Sequence, residues 1–260
     1  MMFSDPSGLW PVYNENGEYI GDDGRNEKGK DLAFTGEKDG KGGFKNLKQF
    51  TDNHNKFIQK ASTVYGESSA YKSEMTEDLR KEMFAIASVH ERNTTAYGNN
   101  SAPAKKFRET SQEGRNGTKM QYAVAAEINA LNGGFDYSYG ADAWDGAEQA
   151  MFKSTDYRFS TGRFELHKNT LGWTISDAHY KQWSSNVGEG FEVPQLSFTP
   201  HSDTKYNKYY QAGRINLKST AVYNKTIFWQ TLKGKDVIKA YPWSIPNRPV
   251  EPSFLDNFKK

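Results

Sequence analysis

The sequence predicts an α+β protein, with a mainly helical core and a smaller β-rich C-terminal portion. Three observations carry that reading. Apolar residues recur at three- and four-residue steps in three windows before residue 132. The segment 208–232, "KYYQAGRINLKSTAVYNKTIFWQTL", alternates instead and is rich in Tyr, Thr, Val, Ile and Phe. The chain is polar, with 35% hydrophobic residues and a mean hydropathy of −0.88, yet 14% aromatic, which separates it from disordered chains of similar polarity.

Residues 1–45 are dense in Gly, Asp, Lys and Asn and sparse in apolar side chains, so a flexible linker or loosely packed arm is expected there. Leu47, Phe50, His54, Phe57, Ile58, Ala61, Val64 and Tyr65 then define one apolar helical face. Gly66 is a natural residue to close that helix, which would leave Glu67 just past its end. A second helix is expected over 76–92. Thr76 is its N-cap, Glu77 and Asp78 lie in its first turn, and Leu79, Met83, Ile86 and His90 form its face. A polar loop, "NTTAYGNNSAPAK", follows. A third helix covers 119–131 through Met120, Val124, Ile128 and Leu131, and Asn132-Gly133-Gly134 ends it. A short helix is expected over 147–152, strands within 180–240, and an irregular tail over 241–260, where Pro242, Pro246, Pro249 and Pro252 fall. The expected organisation is an arm (1–45), a catalytic domain (46–240, its helical core at 46–152) and the tail.

Composition narrows the function. With 34 basic and 32 acidic residues the net charge is +2, too balanced for an obligate nucleic-acid binder. Without cysteine there is neither a disulfide nor a thiol nucleophile. No apolar run approaches the roughly 20 residues of a membrane span. The segment after Met1 does not read as a signal peptide, so a carrier would be needed for action outside the cell. The five histidines form no HExxH or HxH pattern, so no metal and no cofactor is expected.

Two stretches could carry chemistry. In "VYGESSAY", Glu67 stands at a helix C-terminus, where the macrodipole disfavours the ionised form. Desolvation by Tyr65 and Tyr71 would add to that effect, and a protonated carboxyl is what a general acid needs. The alternative is a solvated loop glutamate. In "LNGGFDYSYGADAWDG", residues 131–146, glycines allow close approach of backbone to a ligand. Tyr137, Tyr139 and Trp144 could stack on sugar rings, while Asp136, Ser138, Gly140, Asp142 and Asp145 line the same loop. The alternative is a structural turn held by Asx bonds. The spacing of the three aspartates misses the twelve-residue calcium-loop pattern. His90 falls on an apolar helix face, where a buried, hydrogen-bonded histidine is the simpler reading.

Asp5-Pro6-Ser7-Gly8-Leu9 resembles the motif that closes the core of RHS-repeat proteins, just upstream of their variable C-terminal toxins. The Gly66-Glu67 turn, the segment "FAIASVHERN", and the series Ala126, Leu131, Gly133, Asp136, Ser138, Gly140, Ala141 and Trp144 resemble cell-wall hydrolases of the spore-cortex-lytic type, over about residues 55–150. That family has a lysozyme-like fold, and its catalytic glutamate corresponds to Glu67. Its histidine near the glycine-alanine pair has no counterpart, since Trp144-Asp145 stands there.

The resemblance implies an antibacterial toxin domain that cuts the glycan strand of peptidoglycan, with Glu67 as acid, Asp136 or Asp145 as the second carboxylate, and Tyr65 among the substrate-binding residues. Both a muramidase and a lytic transglycosylase fit. The implied partners are peptidoglycan, a cognate immunity protein and an RHS carrier, often delivered by type VI secretion, with action in the target-cell periplasm. The rivals are a metal-dependent nuclease toxin using His90 or His179, and a non-enzymatic glycan-binding module.

Overall fold

The computed structural model describes residues 9–25, 30–93, 100–147, 173–174, 176–189 and 216–232. The fold is α+β, and the chain divides into two compact units, 1–138 and 139–260. The division falls inside the expected catalytic domain and cuts the loop 131–146.

The first unit opens with four strands, β1 (Pro11–Tyr13), β2 (Tyr19–Asp22), β3 (Phe34–Lys38) and β4 (Phe44–Gln49), in the sheet order β2-β1-β3-β4. Over residues 9–25 and 30–45 this corrects the expectation of a loose arm; residues 1–8, with most of the Asp5–Leu9 motif, and 26–29 lie outside the described residues. The apolar residues there are few, but they converge: Trp10, Val12 and Phe34 are buried together, with Ile20, Leu32 and Phe44 packed against them. The same sheet displaces the expected start of the first helix. Leu47 lies in β4 and is exposed, and α1 begins only at His54, capped by the side chain of Asn53.

Among the described residues, five α-helices follow in this unit: α1 (His54–Glu67), α2 (Glu77–Arg92), α3 (Ala102–Glu109), α4 (Gln112–Arg115) and α5 (Lys119–Leu131). The bounds and Thr76 cap of α2 match the sequence reading, as do the bounds of α5. The polar segment expected as a loop turns helical at Ala102, because Ser101 caps the new helix and Pro103 sits in its first turn, where no amide hydrogen is needed. Helix α1 runs through Gly66 to Glu67, with Ser68 as its C-cap in extended backbone. Phe57, Leu79, Met83, Ile86, Phe107 and Ile128 are fully buried.

The sheet is docked on the helices by aromatic rings and by backbone. Tyr13 is 1% exposed, hydrogen-bonds His54 Nε2 at 3.0 Å, and packs against Phe57 at 5.5 Å between centroids. The β1–β2 turn lies against α5. Gln121 Nε2 donates to Asn16 O at 3.0 Å, and Asn116 bonds both backbone groups of Tyr19. Gly17, at φ +76°, makes this approach possible. A Cβ there would lie 2.4 Å from Ala125 N and 2.5 Å from Gln121 O.

In the second unit, β5 (Ala143–Asp145), β6 (Trp173–Thr174), β7 (Asn216–Tyr223) and β8 (Thr226–Leu232) form a sheet of order β5-β8-β7-β6. The β7–β8 hairpin answers the alternating pattern of the sequence. Asn224, at φ +51°, makes its tight turn. The portion expected to be β-rich from residue 180 instead begins inside a helix, α6 (Asp177–Val187), capped by Ser176. Its Trp183 is fully buried, donates to Lys225 O at 3.0 Å and meets Trp229 edge-on. Most of the expected helix 147–152 and the whole tail 241–260 lie outside the described residues.

Gly17→Ala should destabilise the protein by about 3 kcal/mol, since it adds left-handed strain to a clash with helix backbone. Urea unfolding followed by circular dichroism reads this directly. A loss below about 1 kcal/mol would mean that the turn can lift off α5.

Candidate functional site

Glu67 occupies the last residue of α1 and is exposed. The turn after it is held from three directions. Ser68 Oγ donates to Tyr65 O at 3.0 Å, which bends the chain out of the helix. Ser69 gives both its amide and its hydroxyl to Glu82 Oε1, at 3.1 and 2.8 Å, and Glu82 is fully buried on α2. Lys119, at the start of α5, donates to the carbonyls of Ala70 and Ser73. A buried carboxylate and an ammonium thus fix a short 3-10 turn, Ser69–Tyr71.

The aromatic neighbours of Glu67 differ from the expectation. Tyr65 is not a surface platform: it is 8% exposed, its ring meets Phe107 at 5.6 Å, and burial pushes its phenol up. Its position on the inward face of α1 made it core. Tyr71 is 76% exposed, so neither tyrosine shields Glu67 as proposed from the sequence. Tyr71 and Met75, both exposed, flank the turn instead.

The loop after α5 folds back because Gly134 has no side chain. A Cβ there would sit 2.1 Å from Asn129 Oδ1, and Asn129 itself donates to Phe135 O at 3.0 Å. The loop then runs along α2. Tyr137 is half-buried, edge-on to Phe84 at 5.6 Å and to Phe135 at 4.8 Å. Asp136 and Ser138 meet Arg92. Arg92 donates to Asp136 Oδ2 at 2.7 Å and to Ser138 Oγ at 2.6 Å. Asp136 Oδ1 accepts the amide and hydroxyl of Ser138 at 2.8 and 2.6 Å, an Asx turn. Both oxygens of Asp136 are therefore engaged.

The remaining candidates belong to the second unit. Tyr139 and Gly140 are exposed and both left-handed, at φ +51° and +82°. Trp144 is half-buried in β5. Asp145 is 5% exposed and accepts the indole N–H of Trp229 at 2.8 Å. His179 Nδ1 meets Ser219 Oγ at 2.8 Å, and burial lowers its proton affinity.

The sequence reading missed a cluster of charge between α1, α2 and α5. Lys60 pairs with Asp52 at 2.6 Å, with Glu91, and with Glu127 at 3.7 Å. Lys56 also bonds Asp52, at 2.6 Å. Burial alone would raise Asp52, but the two lysines outweigh it and hold its carboxyl below the usual value. Burial likewise opposes the charge on Lys60, and its carboxylate partners overcome that and raise it. Glu127 is fully buried, and no donor among the described residues bonds either of its oxygens. Burial first, and the charge of Glu91 second, push its carboxyl well above the ordinary glutamate range. His90, beside this cluster, is lowered by burial, and its Nδ1 has no hydrogen-bond partner among the described residues, unlike the bonded histidine expected. A signal for the cluster was present: Asp52, Lys56 and Lys60 recur at four-residue steps, and Glu127 interrupts the apolar run "AVAAEINAL".

No protein-family model, no curated protein and no solved structure matches the chain. No helix among the described residues is long and apolar enough to cross a membrane.

Glu127 generates a prediction about pH. Its folded value lies above the unfolded one, so the folded state binds the proton more tightly. The contribution is intact below the ordinary glutamate value of about 4.3 and is lost as pH rises toward the raised folded value. Glu127→Gln keeps the shape without the charge. With EDTA present, thermal unfolding should show the variant matching wild type near pH 4 and exceeding it at pH 8. Parallel curves for the two proteins would remove the argument.

Proposed function

We propose that the chain is a toxin domain that cleaves the glycan strand of peptidoglycan, with Glu67 as general acid. The observation that carries this reading is an exposed carboxylate on the last turn of a helix, next to a turn locked by Glu82 and Lys119. An acid that must meet a long polymer has to be reachable, and it gains rate from being held still. The exposed rings of Tyr71 and Phe135 belong to the same unit and suit the flat faces of sugars. Because Glu67 is exposed, the bound glycan itself would have to exclude water from it.

In this mechanism Glu67 protonates the glycosidic oxygen, the bond from the muramic anomeric carbon to that oxygen breaks, and positive charge develops on the sugar ring. A second nucleophile then adds to the anomeric carbon, and the Glu67 carboxylate takes its proton. The bonds made by the two candidate aspartates favour one outcome. Asp136 has both oxygens engaged by Arg92 and Ser138, and Asp145 is buried against Trp229. Neither stands ready to activate water. The muramic 6-hydroxyl is then the nucleophile, Glu67 serves as acid and base in turn, and the product is an anhydro sugar. Delivery by a larger RHS carrier, neutralisation by an immunity protein and action in the target periplasm belong to the same proposal.

Dye release from purified sacculi tests the chemistry. Glu67→Gln should lose at least ~100-fold in rate with an unchanged circular dichroism spectrum. Equal rates for the two proteins would remove Glu67 from the mechanism, and an inactive wild type would remove the activity.

Mass spectrometry of the released muropeptides should show anhydro-muramic ends. Reducing ends would instead identify water as the nucleophile and overturn the acid-then-base role of Glu67.

A further inference from the structure

Three carboxylates converge where α1, α2 and α5 meet. Asp52 comes from the segment before α1, Glu91 from the end of α2 and Glu127 from α5. One oxygen of each lies within 4.8 Å of the others. A Ca2+ ion with oxygen ligands at about 2.4 Å spans such a set without rearrangement of the backbone. An acidic cluster by itself often exists only to hold a lysine, and Lys60 is present here. Glu127 is what goes beyond that arrangement. It is fully buried, it points into the cluster, no donor among the described residues bonds either of its oxygens, and Lys60 Nζ stays 3.7 Å away. A buried carboxylate without donors is costly unless a proton or a cation neutralises it.

We infer that Asp52, Glu91 and Glu127 form a binding site for a hard divalent cation of the size of Ca2+, with Lys60 as a displaceable internal counter-ion. The charges support the exchange. Asp52 and Glu91 face two ammonium groups, Lys56 and Lys60, while Glu127 is neutral as long as it keeps its proton. When Lys60 withdraws and Glu127 gives up its proton to solvent, a divalent ion and Lys56 together neutralise all three carboxylates. The ligands are all carboxylate oxygens, which suits Ca2+ over zinc or copper. A route exists as well. The side chains of Lys60 and Glu91 are 16% and 25% exposed, and the flexible stem of Lys60 can carry its ammonium out to water. This site is independent of the glycan chemistry proposed for Glu67.

The test uses the intact chain, stripped with EDTA and titrated with CaCl2 against NaCl of equal ionic strength. Thermal unfolding and titration calorimetry are the readouts. At millimolar CaCl2 the wild type should gain about 3 °C or more in midpoint, with a one-site binding isotherm. Glu127→Gln, which is neutral and isosteric, should fold and lose the response. Lys60→Met removes the competitor and keeps the apolar stem, so it should bind Ca2+ about tenfold more tightly or depend on it to fold. An equal response in Glu127→Gln would overturn the site. A flat wild type would overturn it too, even with a responsive Lys60→Met, because the ammonium would then hold the cluster permanently.

Discussion

The helical half of the first unit depends on where Lys60 puts its charge. One ammonium on α1 faces acids from the preceding loop, from α2 and from α5. Apolar packing between these helices is non-directional and would tolerate a slide of one helix along another. A cation held between Asp52 and Glu91, as Lys60 is here, does not tolerate it. Taking such charges from water costs several kcal/mol per ion, so the network adds little net stability. What it supplies is register. Removing one partner leaves a buried charge uncompensated, which is far worse than losing the contact alone.

That register matters at the opposite ends of the same helices. With α1 and α2 antiparallel and fixed at Lys60–Glu91, Ser69 comes level with Glu82, and the start of α5 comes level with Ala70 and Ser73. The turn beside Glu67 is thus held by polar contacts that exist only if the helices do not slip. Two layers of buried charge, one at each end of the bundle, act as pegs for a core of Leu, Met, Ile and Phe that would otherwise be smooth.

The long helices were legible because their signals are local. Thr76 and the periodic residues after it give α2, and Met120 to Leu131 give α5, without reference to the rest of the chain. The sheet β1–β4 was not legible. Its strands hold few apolar residues each, and only the pairing of β1 with β3 brings Trp10, Val12 and Phe34 together. Leu47 and Phe50 fell in phase with the helix that follows, so the apolar period ran past the true start at Asn53. The capping chemistry of Ser101 was written in the sequence, but its polar surroundings concealed it. The turn at Glu67 was legible from its local sequence, whereas Tyr65 was misplaced on the surface because its neighbours in sequence are not its neighbours in space.

Asp136 and Asp145 show how a binding-like composition can serve the fold. Aspartate is the residue best suited to close an Asx turn and to accept an indole N–H, and each of the two has such work. Glu67 has a longer side chain at a helix end and is exposed. The carboxylates near the two motifs therefore divide by environment. Asp136 is bonded on both oxygens and Asp145 is sealed from water, whereas solvent reaches Glu67 beside a turn fixed by its surroundings. The mechanism proposed for Glu67 rests on a single carboxyl for that reason: the proton it would give to the leaving oxygen would return to it from the attacking hydroxyl, and no second protein group would have to change its protonation.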